Sequence, residues 1–153
     1  RKHILLIIRE IIDFTPESQG TDIDVALRFL TNALKKRSTA FLISDFIDGH
    51  DYFSSMSIAN RKHDLAAIQI YDRRDAQLPD IGLVRMRDME TGQERWIDTS
   101  SKKVRKVYEK EWYGRQQKLA SVVGRCGVDM ASIATDEDYV KALLALFRRR
   151  GTR

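Results

Sequence analysis

Three carboxylates follow short apolar runs in this chain. Asp45 comes after Thr39-Ala-Phe-Leu-Ile43, Asp72 after Leu65-Ala-Ala-Ile-Gln-Ile-Tyr71, and Asp136 after Val128-Asp-Met-Ala-Ser-Ile133. Apolar runs of this length, bounded by polar residues, are the mark of strands in a buried sheet. In open α/β sheets ligands gather at the carboxyl ends of the strands. A carboxylate placed there can ligate a hard cation or act as an acid, a base or a nucleophile. Asp45 has the strongest claim, because Phe41-Leu-Ile-Ser-Asp45 carries it straight out of a strand. The hydroxyl of Thr21, at the start of the preceding helix, falls at the same end of the sheet.

Other candidates carry less. His63-Asp64 has the look of paired metal ligands, but such sites need further His and Asp residues, and His3 and His50 are the only other histidines. The structural reading, a helix–strand junction, is preferred. Asp45-Phe-Ile-Asp48 has Asp-x-x-Asp spacing, whereas phosphotransfer loops with an Asp nucleophile use Asp-x-Asp to bring both carboxylates to one phosphate and one Mg²⁺. Cys126 sits between glycines without a neighbouring histidine, so a nucleophilic role is unsupported. Gly124 and Gly127 read as turn residues, and no phosphate-loop or dinucleotide fingerprint is present.

The elements that must position these residues follow from periodicity. Ile4, Ile8 and Ile11, with Leu5 and Ile12, predict a helix from Arg1 to Asp13 that Thr15-Pro16 stops. Ile4–Ile8 is apolar nearly all round, which predicts burial on more than one side. A second helix is expected from Asp22 to Arg37, with Thr21 as its cap and Asp24 completing a capping pair. Thr39–Ile43 is expected to be buried on both faces. A weaker helix spans His50–Lys62, and Leu65–Tyr71 is the second strand. Gly82–Asp88 and Glu94–Asp98 alternate around Glu90-Thr-Gly92, the pattern of a β-hairpin. A long helix runs from Ser101 to Gly124. Val128–Ile133 suits an edge position, and a last helix with Asp138 at its cap is expected to bury Val140, Leu143, Leu144 and Phe147. Strands alternating with helices require parallel pairing through right-handed crossovers, with Leu65–Tyr71 in the middle. The fold class is α/β, a partial doubly wound parallel sheet with helices on both faces and an inserted hairpin.

With 153 residues the chain is one domain, 1–153, and it opens at Arg1, as a fragment whose first strands lie upstream would. No apolar stretch approaches the length of a membrane span. The single cysteine excludes an internal disulfide and suggests a reducing, cytoplasmic setting. The net charge is +5 and the sequence pI about 9.4. Much of the excess lies in Lys102, Lys103, Arg105, Lys106 and Lys110, interleaved with Val104, Val107 and Tyr108 at helical spacing. That pattern reads as the wet side of an amphipathic helix, and Arg148–Arg150 as cations complementing a helix C-terminus. With only Trp112 and Tyr113 near the lysines, base stacking has little to work with, and no nucleic-acid partner is expected.

Taken together, Gly20-Thr-Asp-Ile23, Phe41-Leu-Ile-Ser-Asp-Phe46, Ala59-Asn-Arg-Lys-His-Asp64, Ile70-Tyr-Asp-Arg-Arg74, Trp96-Ile-Asp-Thr-Ser100 and Thr135-Asp-Glu-Asp-Tyr-Val-Lys141 resemble a known family. The chain is similar to the C-terminal half of a von Willebrand factor A-like domain, specifically of the bacterial domain-of-unknown-function family numbered fifty-eight. The resemblance implies a metal-ion-dependent adhesion site made of an Asp-x-Ser-x-Ser loop, a Thr and an Asp. Thr21 matches the Thr and Asp45 the Asp, while the Asp-x-Ser-x-Ser loop has no counterpart here. Asp98-Thr-Ser100-Ser-Lys102 lacks the last serine and lies late in the chain.

With two of the expected ligands, the fragment is expected to hold no metal of its own, and Mg²⁺ belongs to the intact domain. The resemblance further implies a non-enzymatic protein–protein interaction domain working with a MoxR-type AAA+ ATPase. The alternative is a Mg²⁺-dependent phosphotransfer or phosphohydrolase enzyme using Asp45. Finally, Thr39–Ile43 would lack its neighbouring strand in such a fragment, so a homodimer through that open edge is expected.

Overall fold

The computed structural model describes residues 2–15, 20–88 and 92–151. Its elements in chain order are α1 (Lys2–Asp13), α2 (Ile23–Ala33), β1 (Thr39–Ser44), α3 (Phe53–Lys62), β2 (Asp64–Tyr71) and α4 (Arg73–Ala76). These are followed by β3 (Leu83–Arg87), β4 (Glu94–Asp98), α5 (Lys102–Arg125), β5 (Asp129–Ala134) and α6 (Tyr139–Gly151). β1, β2 and β5 form a parallel sheet in the order β1-β2-β5, with β2 in the middle as the alternation of strands and helices predicts. β3 and β4 form the antiparallel hairpin; residues 89–91 of its predicted turn lie outside the described residues.

The register divides the strand residues between two faces. Leu42, Ala67 and Met130 align across the sheet on one face, and Ile43, Ile68 and Ala131 on the other. The first face is closed. α2, α3 and α5 lie over it and contribute Ile23, Leu27, Met56, Ala59, Leu119 and Val123 to a core that also takes in Leu65 and Ala67. The second face carries Ala66, Ile68, Ala131 and Ile133, and among the described elements only α6 packs there, through Leu146.

Several expectations are corrected. β1 is not buried on both faces: Phe41 and Ile43 are 45% and 62% exposed, because α6 covers their side of the strand only in part, at the Phe41 ring. α1 is not buried on any side, and every residue of it with a described side chain is exposed. α2 ends at Ala33 rather than Arg37. In α6 the buried position is Leu146, flanked by the partly buried Ala142 and Leu143, while Val140, Leu144 and Phe147 stand exposed. Both stripes recur at helical spacing, so periodicity alone does not choose between them. Phe147 instead meets Phe41 edge to face, ring centroids 5.9 Å apart. α4 was not foreseen, being a single turn, too short for periodicity to register.

Two polar clasps fix the helices to the sheet. Asn60 on α3 donates to the carbonyls of Cys126 and Gly127 (3.0 and 3.2 Å) and accepts from the Leu65 N–H at 3.3 Å. It thereby ties α3 to the start of β2 and to the turn that leads into β5. That turn needs the left-handed backbone of Gly127, at φ 66°. Arg150 near the end of α6 donates to the Leu65 carbonyl at 3.2 Å, pairs with Asp64 at 2.5 Å and reaches Asp129 at 3.5 Å.

Candidate functional site at the carboxyl end of the sheet

β1 delivers Asp45 to the carboxyl end of the sheet, and the backbone reverses immediately after it. Phe46 adopts φ 59°, a left-handed conformation uncommon for a residue with a side chain. Two hydrogen bonds hold the reversal. The Phe46 N–H donates to Ser44 Oγ at 3.0 Å and the Ile47 N–H to Asp45 Oδ1 at 3.1 Å. The Phe46 ring is buried and packs near Tyr52, so packing over-determines the turn and Asp45 itself stays exposed.

From below, Gln69 braces the Asp45 backbone. This buried β2 side chain donates to the Asp45 carbonyl at 3.3 Å, and its own oxygen accepts from Ser132 of β5 at 3.0 Å. Gln69 thus links all three strands at their functional end. It was not singled out from the sequence, although a polar residue inside Leu65–Tyr71 was the visible signal.

The N-terminus of α2 meets the loop after β1. The capping residue is Asp22, whose carboxylate accepts from the Val25 N–H at 2.9 Å, and not Thr21 as expected. Two adjacent residues were both competent caps, and the backbone decides: Asp22 takes the extended conformation that a cap requires. Asp24, expected to complete the capping pair, instead accepts from the Ser55 hydroxyl and pairs with Arg28. Thr21 therefore sits one residue before the cap.

Asp48, four residues after the end of β1, accepts from the Ile23 N–H at 2.8 Å and from the His50 N–H at 2.7 Å. Its side chain is fully covered. Burial pushes the Asp48 carboxyl up, but the hydrogen bonds from Ile23 and His50 outweigh it, leaving the group below its ordinary value. His50 Nδ1 lies 2.8 Å from Asp48, and that bond, with the nearby charge of Asp22, raises the imidazole above its ordinary value. One ligand-capable atom from each of Asp22, Asp48 and His50 falls within 4.8 Å of the others. All three groups are already engaged with protein partners, which accounts for the cluster as a loop clasp. Neither Asp22 nor His50 was picked out as a site residue, because the bond that joins their loops is invisible in sequence.

The other strand-end carboxylates have structural work. Asp72 and Asp75 form a reciprocal capping box on α4. Asp136 pairs with Arg73 at 2.9 Å, and Glu137 joins the same guanidinium at 2.6 Å. His63 is buried at the end of α3, and Cys126 is half-buried with its thiol pushed up by burial, both far from a reactive arrangement. Of the predicted positions, Asp45 alone opens onto a cleft. About 520 Å³ in volume, it lies between Asp45 and Ile47, Asp75 of α4, Tyr108 of α5 and the inner side of the hairpin with Arg87 and Arg95. A small recess beneath it is lined by Gln69, Tyr71 and Trp112. Thr21 and Asp45 each carry an oxygen donor on separate loops, before α2 and after β1, and Thr21 is not among the residues lining the cleft at Asp45.

The parallel three-stranded sheet flanked by helices, with its antiparallel hairpin, defines an α/β protein. The comparisons assign it more narrowly. Residues 1–118 match the family described as protein of unknown function DUF58, and the chain belongs to that family. An uncharacterized protein of Mycobacterium avium is 30% identical over 132 residues, covering 85% of this chain and 78% of its own length. Uncharacterized proteins of Mycobacterium bovis and Mycobacterium tuberculosis are 28% identical over 157 residues, covering 99% of this chain and 49% of theirs. The chain thus spans about half the length of these last two relatives. No solved structure matches it. No helix among the described residues is long and apolar enough to cross a membrane.

Proposed function

We propose that this chain is the C-terminal part of a von Willebrand factor A-like domain that binds a protein partner, without catalysis, at the carboxyl end of its sheet. In the intact protein Thr21 and Asp45 contribute two ligands to a Mg²⁺ ion, and a partner carboxylate completes the shell. The partner class implied by the family resemblance is a MoxR-type AAA+ ATPase, and the setting is cytoplasmic. The observation that supports the reading is the braced display of Asp45: a left-handed turn at Phe46, with Gln69 beneath, holds an exposed carboxylate at the mouth of a cleft. Preorganising one ligand in this way lowers the cost of gathering the others.

Calorimetry on the full-length protein tests it. Mg²⁺ or Mn²⁺ should bind at a single site, Asp45→Asn should weaken that site at least tenfold by removing a charged ligand, and the ATPase should bind only when metal is present. Metal binding untouched by Asp45→Asn would end the proposal. Phosphate-ester turnover abolished by the same change would replace it with a phosphotransfer enzyme.

A further inference from the structure

α5 has two halves with different surroundings. Towards its C-terminus Leu119 and Val123 are buried in the core. Towards its N-terminus Val104, Val107 and Tyr108 continue the apolar stripe, but they face a groove of about 460 Å³ closed on the far side by Leu78 and Ile97. Val107 is 50% exposed. Lys103 and Glu111 are the charged residues of the groove itself, while Lys102, Lys103, Lys106 and Lys110 line the adjoining face around Val107, with no ion pair of theirs among the described residues. The one arginine in the run, Arg105, is spoken for, since it pairs with Asp80 at 2.9 Å and donates to the carbonyls of Thr99 and Ser100. An apolar groove bordered on one side by four clustered lysines, with Glu111 the single acid in its lining, suits an occupant that is itself acidic.

We infer that this groove is a docking site for an acidic amphipathic segment of a partner protein, its apolar edge against Val104, Val107 and Ile97 and its carboxylates towards the lysines. The lysines steer the encounter and the groove supplies the buried area. The concave apolar floor favours a protein segment over the two other anionic partners. A nucleic acid would need exposed aromatic faces to stack upon, and the aromatic ring that lines this groove, Tyr108, is half-buried. A membrane surface would need protruding apolar side chains, not a recess. The inference stands apart from the metal reading, since none of the residues it uses is a proposed metal ligand.

The test uses the full-length protein and a fluorescent helical peptide of Leu and Glu, with Leu at i, i+3, i+4 and i+7 spacing. Anisotropy should show saturable binding that weakens with added salt, and a scrambled peptide of equal composition should bind at least tenfold more weakly. K103E/K106E and, separately, Val107→Asp should each cost about tenfold, the usual scale for losing a close charge pair or an apolar anchor. These positions are exposed, so an unchanged circular dichroism melt would show that the variants fold. Equal binding of the scrambled peptide, or affinity unaffected by either variant, would overturn the inference. So would anionic vesicles or a single-stranded oligonucleotide that bound through these lysines while the helical peptide did not.

Discussion

The two faces of the β1-β2-β5 sheet are made from the same strands and differ in almost everything else. Leu65, Ala67 and Leu42 point into a core roofed by three helices, whereas Phe41 and Ile43, their neighbours in sequence, point towards a single helix that touches the Phe41 ring through Phe147 and leaves both residues largely exposed. Burial on the first side is completed within the chain; on the second side apolar surface is left over, from Phe41 and Ile43 across to Val140, Leu144 and Phe147. The strand that carries Asp45 is thus anchored on one side only. The site is held by the closed face and by the polar row of Ser44, Gln69 and Ser132 at its end.

The comparison can be broken by mutation, and the largest effect belongs to the closed face. Met56 is fully buried there, and Met56→Ala should cost about 2–5 kcal/mol in urea unfolding, the usual penalty for truncating a packed core side chain. A cost under about 1 kcal/mol would mean that the closed face is not close-packed. On the open face, Ile43→Ser should change stability by no more than about 0.5 kcal/mol, since a largely exposed side chain loses little on truncation. The same substitution should have a different consequence in sedimentation velocity. β1 presents an edge unpaired among the described residues, and an apolar edge of this kind tends to pair with a second copy. The chain should therefore sediment as a concentration-dependent dimer, and Ile43→Ser with Phe41→Ser should shift it to monomer. A wild-type chain that stays monomeric at high concentration would show the open edge to be harmless.

The smallest effect concerns the loop clasp beside the site. His50 titrates above its ordinary value of 6.5 because it bonds to Asp48. A group whose folded pKa is raised stabilises the fold fully below the unfolded value, and that contribution fades as pH climbs through the folded one. The clasp should therefore loosen on the alkaline side of pH 6.5, with little change in global stability because the imidazole is exposed. A proton NMR titration of the His50 ring checks this: Asp48→Asn should move its midpoint down towards 6.5, and no movement would show that the clasp does not form in solution.

Much of the architecture was legible because its signals are local. Apolar runs, helical periodicity between them and alternation around a turn predicted the parallel order and the hairpin, and both are present. What sequence could not convey is which side of an element meets the core. Phe41-Leu42-Ile43 reads the same whether one face or two are covered, and α6 offers two apolar stripes of similar spacing. The site divided the same way. Asp45 announced itself by following a strand, whereas the roles of Asp22, Asp48 and His50 depend on two loops meeting, and Gln69 matters only through partners on the neighbouring strands.

The Arg150 clasp has a bearing on the order in which the molecule assembles. Its bond to the Leu65 carbonyl joins residues 85 positions apart, so it cannot reward the chain until α6 has come back against the sheet and that long loop is closed. β1 and β2, separated only by α3, close a far shorter loop and are free to pair early. A contact made after the rate-limiting step leaves the folding rate alone and acts on the unfolding rate. Arg150 is then a brake on opening: the fold would form at nearly its usual speed without it and come apart sooner, beginning where α6 leaves the open face.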